Sequence, residues 1–476
     1  MKATYQRIIG VASLLTLAAC HSNDGNMTAQ PPPPPLQTVQ LQVVHAVANA
    51  PSVSVGNSAA TFASGLEFKE TTGFATFAVG TLAVQVDADL PGGQATVIPS
   101  TNLDLLPDTT YSVIAAGEFG SMTSPIAPLV ISNPDTAVGA GNARVEVVHA
   151  APNAPAVDIY VTGPADSIVP GTAIAGGNTP FGANSGQIEV PAGDYRIRVT
   201  LPGSATPVFD SGTVTLPAGA DLLVLAVDNT VAGHSAVGAP PITLVVSDGQ
   251  STFEILDQAT PAEVRVIHAV PDAPPVDVYI NDPMAMNAAA ITGLGYTQVF
   301  PSPVPADADS YAALAAGTNN VLVTVSGNPG AIAIPATDLD LVAGQRYSIY
   351  ATGTLATIAP FVRLDDSRSI GTEARVRILH LAPSAGLVDL YVTPVGADIN
   401  NETPTLEDID FQGDTGYLSL PGTSYDVTVT LANTKTIAIG PATVTLSDGG
   451  VYTAVARDPD PNVMNDTFGL LLLDAF

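Results

Sequence analysis

Residues 148–161, VHAAPNAPAVDIYV, contain the end of one short strand, a turn and the start of another. In the segment leading in, Val145, Val147 and His149 fall on one side of an extended chain, while Arg144, Glu146 and Val148 fall on the other. After the Pro/Asn/Ala turn, Val157, Ile159 and Val161 alternate with Asp158 and Tyr160, which read as outward-facing. A two-residue period of this kind is the signature of β-strands packed on one face. Altered forms recur three times: VHAVANAPSVSV from Val44, IHAVPDAPPVDVYI from Ile267 and LHLAPSAGLVDLYV from Leu379. His45, His149, His268 and His380 are therefore spaced by about 110 residues, the size of a small domain and too long for a solenoid unit. That spacing predicts beads on a string.

Further along each copy, a leucine is followed by a turn residue and then a tyrosine: Leu105-Asp108-Tyr111, Leu341-Gly344-Tyr347 and Leu446-Gly449-Tyr452. The second copy has Leu216-Gly219-Leu222. The tyrosine spacing resembles the tyrosine corner of Greek-key sandwiches, in which the phenol bonds to nearby backbone; Leu222 has no hydroxyl to do this. A last apolar strand closes every copy, at residues 126–131, 242–246, 358–362 and 468–473. With about seven strands per copy, Gly/Pro turns and little helical periodicity, the expected fold is all-β: four tandem immunoglobulin-like sandwiches. Their expected bounds are 39–138, 139–258, 259–370 and 371–476. TNLDLLPDTTYSVIAAG in the first copy matches TDLDLVAGQRYSIYATG in the third, and YRIRVTLPG in the second matches YDVTVTLAN in the fourth. Duplication of a two-copy unit follows, with copies packing in pairs.

Ahead of the repeats, Lys2 and Arg7 flank an apolar stretch too short to span a bilayer, the pattern of a secretory signal over residues 1–19. It ends Leu17-Ala18-Ala19-Cys20, which resembles a bacterial lipobox, and Cys20 is the chain's one cysteine. The resemblance implies cleavage before Cys20 and its acylation, palmitate-type chains anchoring the protein in a membrane. Without Asp after the cysteine, the outer membrane or cell surface is the expected address. Residues 20–38, with Pro31–Pro35, read as a lipid anchor and stiff tether. The chain carries 14 Lys and Arg against 44 Asp and Glu, so nucleic acid is excluded as a partner by charge repulsion.

The VHAxPxAPxVDVYV signature resembles the bacterial secreted family known as domain of unknown function 4397, across nearly all of the chain after the tether. The resemblance implies export and repetition but no activity. The first copy departs most, with Ser54 in place of the aspartate, and the fourth has Gly386 where the others have Pro51, Pro155 and Pro274. A histidine on an apolar strand face, with one ring nitrogen donating and the other accepting, reads as a structural lock on the following turn. The alternative pairs it with the aspartate nine residues on (His149 with Asp158, His268 with Asp277, His380 with Asp389), but two ligands on opposite faces do not make a metal site. In DPDPNVMND, Asp458, Asp460, Asn462 and Asp466 alternate as calcium ligands do, without the sharp-turn glycine or terminal glutamate of a calcium loop. The acidic linkers NPDTAVGAGNA and RLDDSRSIGTE are further calcium candidates, at the junctions between copies. No catalytic motif is present, and the expected role is a spacer or adhesive array binding an envelope polysaccharide or protein. The competing reading is a carbohydrate-processing accessory protein or enzyme; the absence of Trp weighs against it.

Overall fold

The computed structural model describes residues 36–231, 239–302 and 311–474; the leader, Cys20 and the proline run lie outside them. The first copy has eight strands: β1 (Thr38–His45), β2 (Val53–Gly56), β3 (Thr61–Leu66), β4 (Ala75–Ala78), β5 (Gly80–Leu90), β6 (Gly93–Leu105), β7 (Thr109–Ala116) and β8 (Ala127–Pro134). They form two sheets, ordered β4-β1-β7-β8 and β3-β2-β5-β6. β1 runs parallel to β7, with Leu41 opposite Tyr111 and His45 opposite Ala115. A parallel pair cannot be closed by a hairpin. The chain between β1 and β7 builds the second sheet, and the two sheets enclose a core that includes Val43, Val55, Val86 and Val113.

The same parallel pairing recurs between Asn142–His149 and Asp221–Asp228, Ala262–His268 and Arg346–Thr352, and Ala374–His380 and Val451–Arg457. Among the described residues there are eight sheets of four or five strands, and apolar cores follow the copies. Two features of the sheet edges were not anticipated. Thr252–Ile255 extends an edge of the second copy, and the third copy's edge strand is split into Val299–Phe300 and Ala312–Leu314. No helix among the described residues is long and apolar enough to cross a membrane.

The beads-on-a-string expectation is corrected by the packing between copies, since Thr38–Phe476 forms one compact unit. Val44, Ile114 and Ile131 of the first copy share an apolar layer with Val148, Leu225 and Val245 of the second. Ile267 and Tyr350 of the third meet Leu379, Val455 and Leu473 of the fourth. The residue before each histidine, Val44, Val148, Ile267 or Leu379, is at most 1% exposed, although alternation placed it on the outer face. The sheet carrying β1 is thus apolar on both sides. Pairs form because a sheet of that kind needs a second partner.

At equivalent positions three residues before the histidines, the two layers differ in chemistry. Between the first two copies, Gln42 donates to Ser112 Oγ and accepts from Ser247 Oγ, and Glu146 accepts from Asn133 Nδ2 at 2.6 Å. Between the third and fourth, Arg265 pairs with Asp365 (3.4 Å) and Asp474 (2.7 Å), and Arg377 pairs with the same Asp365. Arg265, Arg377 and Asp365 are buried, so the charges satisfy one another away from water.

Candidate functional site: the histidine corners and aspartate clamps

Each histidine closes the strand β1, or its equivalent, onto the turn that follows. In the first copy the imidazole Nε2 lies 2.9 Å from the Pro51 carbonyl oxygen, and the Val47 amide donates to Nδ1 at 3.2 Å. His149 does the same with Pro155 (3.0 Å) and Ala151 (3.4 Å), and His268 with Pro274 (3.3 Å) and Val270 (3.3 Å). His380 bonds Gly386 (2.7 Å) and Ala382 (3.4 Å); the partner is a backbone carbonyl, so glycine replaces proline without losing it. A carbonyl only accepts and an amide only donates, so all four rings are neutral with the proton on Nε2. Burial pushes the His45 pKa down from 6.5 to about 4, with nearby Arg368 adding to the effect. Burial lowers His149 and His268 as well.

A loop aromatic completes each of the first three corners: Phe68, Phe181 and Tyr296 present edges to His45, His149 and His268, with centroids 6.2–6.4 Å apart. The next residue (Lys69, Gly182, Thr297, and Gln412 in the fourth copy) has positive φ and donates its amide to the histidine carbonyl. These loop residues were not singled out from the sequence. Their signal is the aromatic before a left-handed residue in EFKE, PFGA, GYTQ and DFQG. Also unforeseen is the polar residue four past each histidine. Asn49 bonds Phe119 backbone, Asn153 bonds Asp228, Asp272 accepts from the Leu355 amide, and Ser384 donates to Asp458. It ties the turn to the end of the β7 equivalent in the second copy and to the hairpin loop after it in the others.

The aspartates do not meet the histidines. Asp158, Asp277 and Asp389 are buried, which corrects the outward reading of Asp158 and of Tyr160 beside it, the latter 1% exposed. The loop after Asp158's strand folds back over that face, held by Arg198 through Thr162 Oγ1 and the Asp166 carbonyl. Each carboxylate clamps an irregular edge strand and a hairpin turn by accepting one backbone amide from each: Asn178 and Gly203 on Asp158, Gly293 and Gly327 on Asp277, Asp408 and Asn433 on Asp389. All six donors have φ between 50° and 73°, so the carboxylate stabilises bends that most side chains resist. The amides of Asn178 and Gly203 hold Asp158 below the usual carboxylate range. For Asp277, burial acts upward and is outweighed by the amides of Gly327 and Gly293, with a net lowering. In the first copy Ser54 donates instead to Asp89 (3.1 Å).

The tyrosine hydroxyls of Tyr111, Tyr347 and Tyr452 accept from the amides of Leu106, Val342 and Ser447 at 2.8–3.1 Å. Tyr111 also donates to the Asp104 carbonyl. The calcium candidates are not convergent. Asp458 accepts from Ser384, Asp460 from Asn462, and Asp466 from the Arg457 guanidinium and the Asp460 amide; the Arg457 bond holds Asp466 down to about 2. Among the described residues, no group of three or more His, Cys, Asp or Glu side chains is arranged to hold a metal.

These features define a class: an all-β protein of tandem sandwiches whose repeated polar motif is spent on its own turns. The family model described as a domain of unknown function, number 4397, matches residues 39–160 and 262–391, and the chain belongs to that family. Both matches start at β1 of an odd copy and run into the VDIYV-type strand of the next, following the two-copy period. No curated protein matches the chain. Among solved structures, it is similar to a candidate cell adhesion protein from Bacteroides uniformis ATCC 8492 (17% identity, 48% of this chain and 99% of that one, TM-score 0.17). It is also similar to family 41 carbohydrate-binding modules, which recognise alpha-glucan, from streptococcal virulence factors (10%, 44% and 96%, TM-score 0.15). A third is the multi-modular glycogen-degrading pneumococcal virulence factor SpuA (11%, 63% and 37%, TM-score 0.14).

Proposed function

We propose that the protein is an exported lipoprotein, held through Cys20 at the outer membrane or cell surface, that presents its sandwiches as a non-catalytic binding scaffold for an envelope polysaccharide or protein. The observation that carries this reading is that the four motif histidines and the aspartates Asp158, Asp277 and Asp389 are each held by backbone groups of their own copy. These repeated side chains are thus committed to the fold. What varies between copies are the hairpin loops after β7 and its equivalents, beside the histidine corners. There Met122, Leu355, Val463 and Met464 stand exposed, apolar groups at loop tips of the kind that bind partners. Repetition strengthens weak contacts by raising effective concentration.

The test is binding of soluble residues 36–476 to a panel of envelope polysaccharides and envelope protein fractions, in calcium and then in chelator. Saturable, competable binding that weakens in Met122→Asp or Met464→Asp is expected. A blank panel in both conditions contradicts the binding role, and turnover of a polysaccharide contradicts the non-catalytic one.

A further inference from the structure

The first histidine corner holds a side chain from the other half of the chain. Arg368, between the third and fourth copies, donates from Nη1 to the Ala48 and Ala50 carbonyls at 3.2 and 2.8 Å. Its Nη2 donates to the Glu67 carboxylate at 3.4 Å, and the guanidinium carbon lies 5.6 Å from the centre of the Phe68 ring. Three residues on, the Gly371 amide donates to the Asn49 carbonyl at 2.8 Å, so three consecutive carbonyls of the turn accept from one short segment. Carbonyls, a carboxylate and an aromatic ring together meet the donors and the charge of an arginine.

The fourth copy builds the same acceptor. In both copies the histidine ring bonds the carbonyl six residues on, and the histidine backbone bonds the loop: Glu70 and Lys69 for His45, Gly413 and Gln412 for His380. The Glu70 amide closes that loop on the Glu67 carbonyl, as the Gly413 amide does on the Asp410 carbonyl. Pro383, Ser384 and Ala385 therefore correspond to Ala48, Asn49 and Ala50, and Asp410 and Phe411 to Glu67 and Phe68. Gln412 in place of Lys69 removes a cation that repels a second one. The second and third copies have Pro180 and Gly295 at the carboxylate position, so neither completes the set. Among the described residues nothing fills the fourth acceptor: Ser384 and Asp410 are exposed, and no donor bonds the Pro383 and Ala385 carbonyls.

We propose that the fourth corner is a binding site for an arginine side chain carried on an extended segment of a partner protein, as the first corner is for Arg368. The partner is not a second copy of this chain, because every Lys and Arg among the described residues is already bonded within the chain. With 14 Lys and Arg against 44 Asp and Glu, the surface attracts a cationic segment. This deepens the scaffold reading above, and rests on it, by giving the partner a chemistry.

The probe is the chain's own segment, residues 367–372 (SRSIGT), as an end-blocked peptide titrated calorimetrically into soluble residues 36–476. Saturable binding of one peptide per chain is expected, weaker by at least about tenfold when alanine replaces the peptide's arginine and by about fivefold in Asp410→Ala. Asp410→Glu, which installs the first copy's residue, and Glu407→Ala, three residues before it, keep the binding; circular dichroism of each variant remains that of the native chain. No saturable binding, equal binding of the alanine peptide, or undiminished binding in Asp410→Ala overturns the site. The envelope panel is run on the same preparations: a blank panel counts against the scaffold reading, whereas a panel that binds beside a silent peptide removes this site alone.

Discussion

Replacing His45 with alanine removes a fully buried ring and carries its own pH signature. Two partners are orphaned, the Pro51 carbonyl and the Val47 amide, in a turn closed to water. Each unsatisfied buried group costs about 1–3 kcal/mol, and loss of the ring against Phe68 adds to this, for a total of roughly 3–6 kcal/mol at pH 7.5. The folded state keeps His45 neutral, with its pKa lowered from 6.5 to about 4. The unfolded chain therefore takes up a proton first on acidification. The stability that the neutral ring confers is complete above pH 6.5 and is lost as pH falls toward 4, a change of about 3 kcal/mol. Glu67, raised chiefly by burial, shifts stability in the opposite sense over part of that range, so the informative quantity is the difference between the two proteins. Urea unfolding, followed by tyrosine fluorescence and circular dichroism at pH 7.5 and pH 4.5, measures it. The alanine penalty should shrink by most of that amount at the lower pH. A penalty under about 1 kcal/mol at pH 7.5, or one unchanged by pH, refutes the lock.

Asp277→Asn exchanges a charged acceptor of two amides for a neutral one and should cost about 2 kcal/mol at pH 7. Because Asp277 is held below its ordinary value in the folded state, its contribution is present above pH 4 and drains as pH falls through the folded pKa, which acid titration of wild type and variant would reveal. Asp365→Asn leaves Arg265 and Arg377 short of their shared counter-ion between the third and fourth copies; a loss of about 3–5 kcal/mol and faster proteolysis near residues 366–373 are expected. Tyr111→Phe removes one hydroxyl bonded at both ends and should cost about 1 kcal/mol by thermal unfolding, against no measurable change for Leu222→Phe in the copy that never had that bond. Calcium added to the purified chain should leave its unfolding temperature unchanged, since Asp466 is committed to Arg457 and Asp458 to Ser384; a rise that chelator reverses would show that the loop binds the ion.

Much of the fold is legible in the sequence because alternation reports which residues share a strand face. Val145, Val147 and His149 are all buried, and the three tyrosines bond the backbone five residues before them. Alternation is silent on whether the other face is covered. Asp158 and Tyr160 look solvated because they are polar, yet a returning loop buries them. Val148 looks peripheral, yet a neighbouring copy covers it. The aspartate clamps were beyond reach because their partners are backbone amides 16 to 50 residues away, and an amide has no letter in the sequence. The acceptor at the fourth corner was hidden for a different reason. Asp410 reads as one more scattered acid until the loop bonds place it where Glu67 holds Arg368.

Where Cys20 takes the chain decides between a surface scaffold and a freely soluble protein. The direct measurement is metabolic labelling with palmitate in the native cell, followed by membrane fractionation and protease shaving of intact cells. The scaffold reading predicts a labelled chain in the membrane fraction, cut by external protease or released with the outer membrane, and an unlabelled, unanchored chain in Cys20→Ala. An unlabelled wild-type chain recovered in the soluble fraction would contradict it.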